Sequence, residues 1–354
     1  MATAASHSSG LLQAVIDEAR RHARRRRARY GLLLLVVAAA GVAAYASLGG
    51  RGTGGVGGTG RGTGRPLPRN GELVLVQHSG WFGINGVDAA SGRTRVVTKC
   101  QYDVLFCPNP DSVDWASDGQ RLAIGMSSYL GVGGGIHGGL THDTYDGLHV
   151  VDVRTLRDRR VVRRGEYAEY AWLDIDWAPD GRHLAYATNN GDIAVVNADG
   201  SGHRILDTGA DGGFKNMPSW SPDGRWIAYA SLEDGRPSSV YLIRADGSGR
   251  RLLADHAAAP AWSPEGTRIA VRGPDRVEFI SPEGRLLGPR SVGINGTPAW
   301  SPDATKVAVA NARSGIWIMN ADGTGLRRLP SAGFTGDTGD TVLDAARPAW
   351  RPRP

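Results

Sequence analysis

The sequence predicts an all-β fold: a six-bladed β-propeller, closed by pairing of its N- and C-terminal strands and preceded by one N-terminal transmembrane helix. Three observations predict it. A short phrase built on Trp-Ser-Pro-Asp-Gly recurs six times with single-residue variations, around Trp115, Trp177, Trp220, Trp262, Trp300 and, clipped to Pro-Ala-Trp-Arg-Pro, Trp350. These tryptophans lie 62, 43, 42, 38 and 50 residues apart, a period typical of small sheets arrayed side by side. The two ends of the repeat region are also incomplete in complementary ways.

The chain begins with a basic segment, residues 1–30, in which Leu12, Val15, Ile16 and Ala19 form an apolar helical stripe ahead of an arginine run. Residues 31–48 carry no charge. At about 1.5 Å per residue they make roughly 27 Å of helix, enough to cross a bilayer core. The arginines on its N-terminal side hold that end in the cytoplasm, so the bulk of the chain is expected outside it. Two readings fit the segment: an uncleaved membrane anchor, or a signal peptide cut near Ala46 that leaves a secreted protein. Residues 49–69 are Gly, Thr and Arg with little to bury, and read as a flexible spacer. Residues 70–354 form the propeller.

Charge excludes one function class. Eleven arginines precede residue 70 against Asp17 and Glu18, giving the head +9 of a chain whose net charge is +6. The remainder therefore carries −3, and as a whole it offers nothing for a phosphate backbone, so no nucleic-acid partner is expected.

Each repeat unit holds four strand-like runs. Around Trp220 they are 218–221, 226–231, 239–244 and 250–253. Ser221-Pro222-Asp223-Gly224 joins the first pair and Ala245-Asp246-Gly247-Ser248-Gly249 the last pair, both with the residues of tight turns. The second run, Trp226-Ile227-Ala228-Tyr229-Ala230, is apolar almost throughout, as a strand covered on both faces should be. The indoles are expected between blades. The first run after the spacer, Glu72–Gln77, has the character of a second strand, and the missing first strand stands at the far end, Pro348–Arg351. One composite blade built from both ends leaves the ring no free edge.

Trp-Ser-Pro-Asp-Gly, an Ile-Ala-Tyr strand, and Asn-Ala-Asp-Gly-Ser/Thr-Gly followed by Arg-Arg-Leu together resemble the bacterial TolB-type propeller repeat, a relative of the WD-repeat families. The resemblance covers roughly 70–354. Two units depart from it, with Ala116-Ser117 in place of Ser-Pro and Ser281-Pro282-Glu283-Gly284 in place of Asn-Ala-Asp-Gly, but both keep a turn. TolB carries a small α/β domain ahead of its propeller; nothing here matches it, so TolB's lipoprotein partner is not carried over.

Strand order puts the short glycine turns on one face and the variable loops on the other, where binding is expected. The longest loop, 127–146, holds His137, His142, Asp143 and Asp146, which suit a solvated or partner-contacting loop; no metal site is assigned. The crossover 163–174 offers Glu166, Tyr167, Tyr170 and Trp172, equally suited to a binding surface or to local packing. Asp337, Asp340 and Asp344 add acidity to the same face. Cys100 and Cys107 are expected to form a disulfide outside the membrane. No Gly-x-Ser-x-Gly elbow or His-Glu motif supports catalysis.

The expected function is a membrane-anchored, extracytoplasmic binding or scaffolding module, monomeric and without a cofactor. It would present the variable-loop face to a protein or a cell-wall glycan. The alternative is a propeller-type lyase or hydrolase on a sugar polymer, with a metal on that face.

Overall fold

The computed structural model describes residues 69–353 apart from 78–81, 92, 101–108, 128–146, 156, 164–173, 189, 210–212, 234–235, 289–292, 312–313 and 330–346. The described residues contain no α-helix, and none long and apolar enough to cross a membrane. The expected transmembrane segment 31–48, the head and most of the spacer lie outside them.

The strands group into six sheets. Blade 1 holds β1 (Arg69–Gln77), β2 (Phe82–Val87) and β3 (Thr94–Cys100). Blade 2 is β4 (Asn109–Trp115), β5 (Arg121–Ser127), β6 (Gly147–Asp152) and β7 (Arg157–Arg163). Blade 3 is β8 (Ile175–Trp177), β9 (His183–Ala187), β10 (Ile193–Asn197) and β11 (Arg204–Asp207). Blade 4 is β12 (Gly213–Trp220), β13 (Trp226–Glu233), β14 (Ser239–Arg244) and β15 (Arg251–Ala254). Blade 5 has three strands, β16 (Ala258–Trp262), β17 (Ile269–Arg272) and β18 (Val277–Ile280), with a single Ile280–Leu286 bridge where a fourth would run. Blade 6 is β19 (Thr297–Trp300), β20 (Lys306–Asn311), β21 (Gly315–Asn320) and β22 (Arg327–Arg328). The last strand, β23 (Ala349–Arg353), pairs antiparallel with β1, Leu73 opposite Trp350 and Arg69 opposite Arg353. The composite blade is as expected. The innermost strands meet in the order β4–β8–β12–β16–β19–β23–β4, which closes the ring.

Alternation explains the core. In β13, Ile227 and Tyr229 pack toward blade 3 while Ala228 packs toward blade 5, so a strand with no polar face is buried on both sides. Trp115, Trp177, Trp220, Trp300 and Trp350 are buried between blades and Trp262 is partly so. Each contributes roughly 2 kcal/mol of apolar burial.

The seams carry a second device that the repeat pattern does not announce. On the turn face an arginine of each blade donates to a main-chain carbonyl of the next. Arg159 reaches Asp199 O (3.3 Å), Arg204 reaches Ala245 O (2.7 Å) and Asp246 O (2.8 Å), and Arg251 reaches Pro282 O (2.6 Å). Arg268 reaches Ala321 O (2.6 Å), Arg327 reaches Ala89 O (2.6 Å), and Arg351 reaches Gly119 O (3.1 Å). All six interfaces are tied this way. Gly119 is needed at the last of them: its φ is +62°, and a side chain there would strike the Pro352 carbonyl of the closing strand.

Candidate functional site

The throat of the ring is organised by two register positions of the innermost strands. The residue just before each tryptophan is Asp114, Asp176, Ser219, Ala261, Ala299 or Ala349. From blade 2 to blade 5 this side chain accepts the main-chain N–H of the next tryptophan: Trp177 N to Asp114 Oδ2 (2.8 Å), Trp220 N to Asp176 Oδ2 (2.7 Å), and Trp262 N to Ser219 Oγ (3.1 Å). At Ala261 and Ala299 the indole takes over, whereas at Ala349 the next indole, that of Trp115, stays buried without a hydrogen bond. Trp300 Nε1 donates to Ala261 O (3.0 Å) and Trp350 Nε1 to Ala299 O (3.2 Å).

Three residues before each tryptophan stand Ser112, Asp174, Met217, Ala259, Thr297 and Arg347. The ladders of blades 4 and 5 bulge here, with Met217 at φ 51° and Ala259 at φ 48°. A bulge takes carbonyls out of the ladder and leaves them seeking donors. Arg347 supplies them. Its guanidinium crosses the throat and donates to Met217 O (3.2 Å), Pro218 O (2.8 Å), Pro260 O (2.7 Å) and Asp176 Oδ1 (3.3 Å). One side chain from blade 1 thus binds blades 3, 4 and 5, and the throat is spanned rather than open.

The same guanidinium balances three carboxylates. Loss of hydration pushes Asp174 up to about 6 against the pull of Arg347, Arg272 and the Met217 amide. It raises Asp176 to about 6 against Arg347 and the Trp220 amide. Asp114 is raised well above the usual carboxylate range, first by lost hydration and then by the neighbouring charge of Asp176. Toward the loop face, the fully buried Lys215 donates from Nζ to Thr208 O (2.6 Å) and Gly213 O (3.3 Å). The buried pair Thr188 and Asp192 closes the neighbouring turn, with Asp192 Oδ1 accepting Gly209 N (2.7 Å).

The residues singled out from the sequence fall elsewhere. His137, His142, Asp143, Asp146, Glu166, Tyr167, Tyr170, Trp172, Asp337, Asp340 and Asp344 lie outside the described residues, as does Cys107 of the expected disulfide; Cys100 ends β3. Three of the described histidines sit beside separate carboxylates, and the fourth, His203, packs against the Tyr186 ring at 5.9 Å between centroids. His149 Nδ1 meets Asp158 at 3.0 Å, His183 Nδ1 meets Asp180 at 2.6 Å, and His256 lies beside Asp255. Among the described residues no group of three His, Cys, Asp or Glu side chains is placed to hold a metal. The throat residues carried two sequence signals: Asp-Trp pairs at Asp114 and Asp176, and Arg347 as the one arginine at its register. Only their position relative to the repeat gives those signals meaning.

No protein-family model matches the chain, and no curated protein sequence does. Solved structures do. TolB from Acinetobacter baumannii aligns at 16% identity over 81% of this chain and 68% of its own, with a TM-score of 0.55. A putative TolB from Agrobacterium tumefaciens aligns at 15% identity over 80% and 98%, with a TM-score of 0.53. A nidogen/laminin complex aligns at 11% identity over 79% and 98%, with a TM-score of 0.56. At these identities the likeness is one of architecture, and it agrees with the strand order and closure above. The chain is a six-bladed β-propeller of TolB-like fold.

Proposed function

We propose that the chain is a membrane-tethered, extracytoplasmic binding module that presents its variable-loop face to a protein partner, with a cell-wall glycan as the other candidate. The observation that carries this reading is the contrast between the two ends of the ring. The turn face is built from near-identical turns sewn together by arginines, whereas the strand ends on the opposite face, such as Ser127 with Gly147 and Arg163 with Ile175, are those joined by the long stretches of sequence. With Arg347 spanning the throat, the broad rim of that face is the surface open to a ligand. The similar nidogen/laminin structure is itself a protein–protein complex, which supports the reading by likeness of fold.

The full chain, solubilised and tagged, should capture one partner from the membrane and wall fraction of its source. Removal of residues 128–146 should abolish the capture while leaving the unfolding midpoint in place. No capture by the full chain, or capture unchanged by the deletion, overturns the reading. Metal analysis of the purified chain addresses catalysis: a stoichiometric ion lost on His137→Ala or His142→Ala would move the function to the metal-assisted lyase or hydrolase.

A further inference from the structure

Two acids on either side of the seam between blades 2 and 3 hold the same place in the repeat, yet the throat treats them differently. Asp114 and Asp176 each stand one residue before a tryptophan. Each accepts the main-chain N–H of the next tryptophan with Oδ2, at 2.8 Å for Asp114 and 2.7 Å for Asp176. Asp176 has a second donor, because Arg347 Nη1 reaches its Oδ1 at 3.3 Å. Among the described residues no donor reaches Asp114 Oδ1; the Trp177 amide is its one hydrogen bond.

The charges repeat this asymmetry. At the two throat registers the described residues carry three carboxyl groups, those of Asp114, Asp174 and Asp176, and one cation, Arg347; the other positions are uncharged. Arg272, at the end of β17, adds a second cation that acts on Asp174. The charged side chains on the strands around β4 are engaged elsewhere. Arg121 of β5 pairs with Asp118, and Arg351 of β23 lies over the Trp115 ring. Arg353 acts on Asp88, and Glu72 of β1 lies against Gly86 inside blade 1. Two guanidinium groups therefore serve three carboxyl groups. Neighbouring carboxyl groups short of a cation in a poorly hydrated site do not both ionise, and one keeps a proton. The proton belongs on the member whose charged form has the fewest donors, which is Asp114.

We propose that Asp114 is the proton site of the throat, a neutral carboxylic acid while Asp174 and Asp176 are ionised against Arg272 and Arg347, and that its ionisation loosens the seam between blades 2 and 3. As an acid, Asp114 offers its carbonyl oxygen to the Trp177 N–H, and its proton cancels the surplus negative charge. Once ionised it sets a third negative charge against two cations, with Asp176 beside it. Lost hydration, and then the Asp176 charge, push the Asp114 carboxyl in the same direction, toward keeping its proton. A group that holds its proton more tightly folded than unfolded contributes stability below its unfolded pKa, and that contribution is lost as pH rises through the folded one. The seam is fastened in acid and slack in base.

The same substitution at the two equivalent acids separates a proton site from a plain hydrogen-bond acceptor. In the full chain, solubilised in detergent and unfolded with urea, Asp114→Asn should be at least as stable as the parent, because the amide keeps the shape and neutrality of the acid. Asp176→Asn should lower the folding constant by at least about tenfold, since it takes a carboxylate from Arg347. Above the value of about 6 at which Asp174 and Asp176 ionise, the parent's folding constant should keep falling with pH. The fall should reach up to about tenfold per pH unit, and Asp114→Asn should remove that part of it. Infrared spectra of the parent in the same range should contain the carbonyl stretch of a neutral carboxylic acid, missing from Asp114→Asn. Equal losses from the two substitutions, an Asp114→Asn chain that does not fold, a slope that survives it, or a parent without the neutral carboxyl band each overturns the inference.

Discussion

Two arcs of the same ring are fastened by different chemistry. From blade 2 to blade 5, Asp114, Asp176 and Ser219 reach across each seam to a tryptophan main-chain N–H. From blade 5 round to blade 1, where alanine stands at that register, Trp300 and Trp350 make the link with their indoles. In the first arc the indole nitrogens of Trp177, Trp220 and Trp262 are buried without a partner. At five of the six seams the residue at one repeat position goes with which donor is satisfied; at the sixth, Ala349 faces Trp115, whose indole N–H is buried without a partner. Asp114 and Asp176 hold the main chain at the cost of burying charge, whereas at Ala261 and Ala299 the indole makes the link without any charge. Arg347 belongs to the charge-free arc by its strand and to the acidic arc by its contacts.

The largest break in this comparison should come from Arg347→Met. It removes the cation from Asp174 and Asp176 and leaves the carbonyls of Met217, Pro218 and Pro260 without their donor. Urea unfolding should show a loss of about 3–5 kcal/mol, the cost of leaving a buried charge unpaired. A variant as stable as the parent would show that the throat collapses or hydrates freely.

Next comes pH. Burial holds the folded pKa values of Asp174 and Asp176 near 6, above their unfolded values, and Asp114 is also raised, by burial and then by the charge of Asp176. Between pH about 4 and about 6 the folded chain binds more protons than the unfolded one, so stability falls as pH rises through that window. For the buried Asp174 the effect is on the order of 3 kcal/mol. The exposed turn carboxylates Asp246 and Asp322 are held low by the hydroxyls of Ser248 and Thr324 and act in the opposite sense, at a lower pH. Unfolding midpoints measured from pH 4.5 to 7.5 should decline, and Asp174→Asn should flatten the slope. A rising profile would contradict the throat described here.

A smaller difference separates the arcs directly. Trp300→Phe loses a hydrogen bond along with ring volume, while Trp177→Phe loses ring volume and an unpaired N–H. The first should cost about 1 kcal/mol more in chemical denaturation. Smallest is Ala304→Gly. Ala304 occupies the glycine position of the blade 6 turn at φ 58°, a left-handed conformation an L side chain resists. Relief of that strain, less the added freedom of glycine in the unfolded chain, should raise stability by about 0.5 kcal/mol. A decrease would mean that the methyl group packs usefully against the seam.

The architecture was legible because each of its causes is local and repeated. Trp-Ser-Pro-Asp-Gly specifies a strand and its turn wherever it stands, and the unpaired Glu72–Gln77 strand demanded a partner that only the last tryptophan segment could supply. Blade 5 departs from four strands because Ser281–Gly284 turns into a short stretch with only the Ile280–Leu286 bridge. The throat was less legible. Arg347 acts on blades 3, 4 and 5, some ninety to one hundred and seventy residues away in the chain, through carbonyls freed by two bulges. No spacing rule relates an arginine to carbonyls that become available only when the ring is assembled. The arginine seams were hidden likewise: Arg204, Arg251 and Arg327 meet their carbonyl acceptors only when the next blade is in place.

Because β1 and β23 lie side by side with Arg69 opposite Arg353, both extremities of the propeller leave through the same side of the disc. Anything fused beyond residue 354 would hang beside the incoming segment, clear of the far rim. A bulky C-terminal cargo should consequently leave ligand capture at the loops intact.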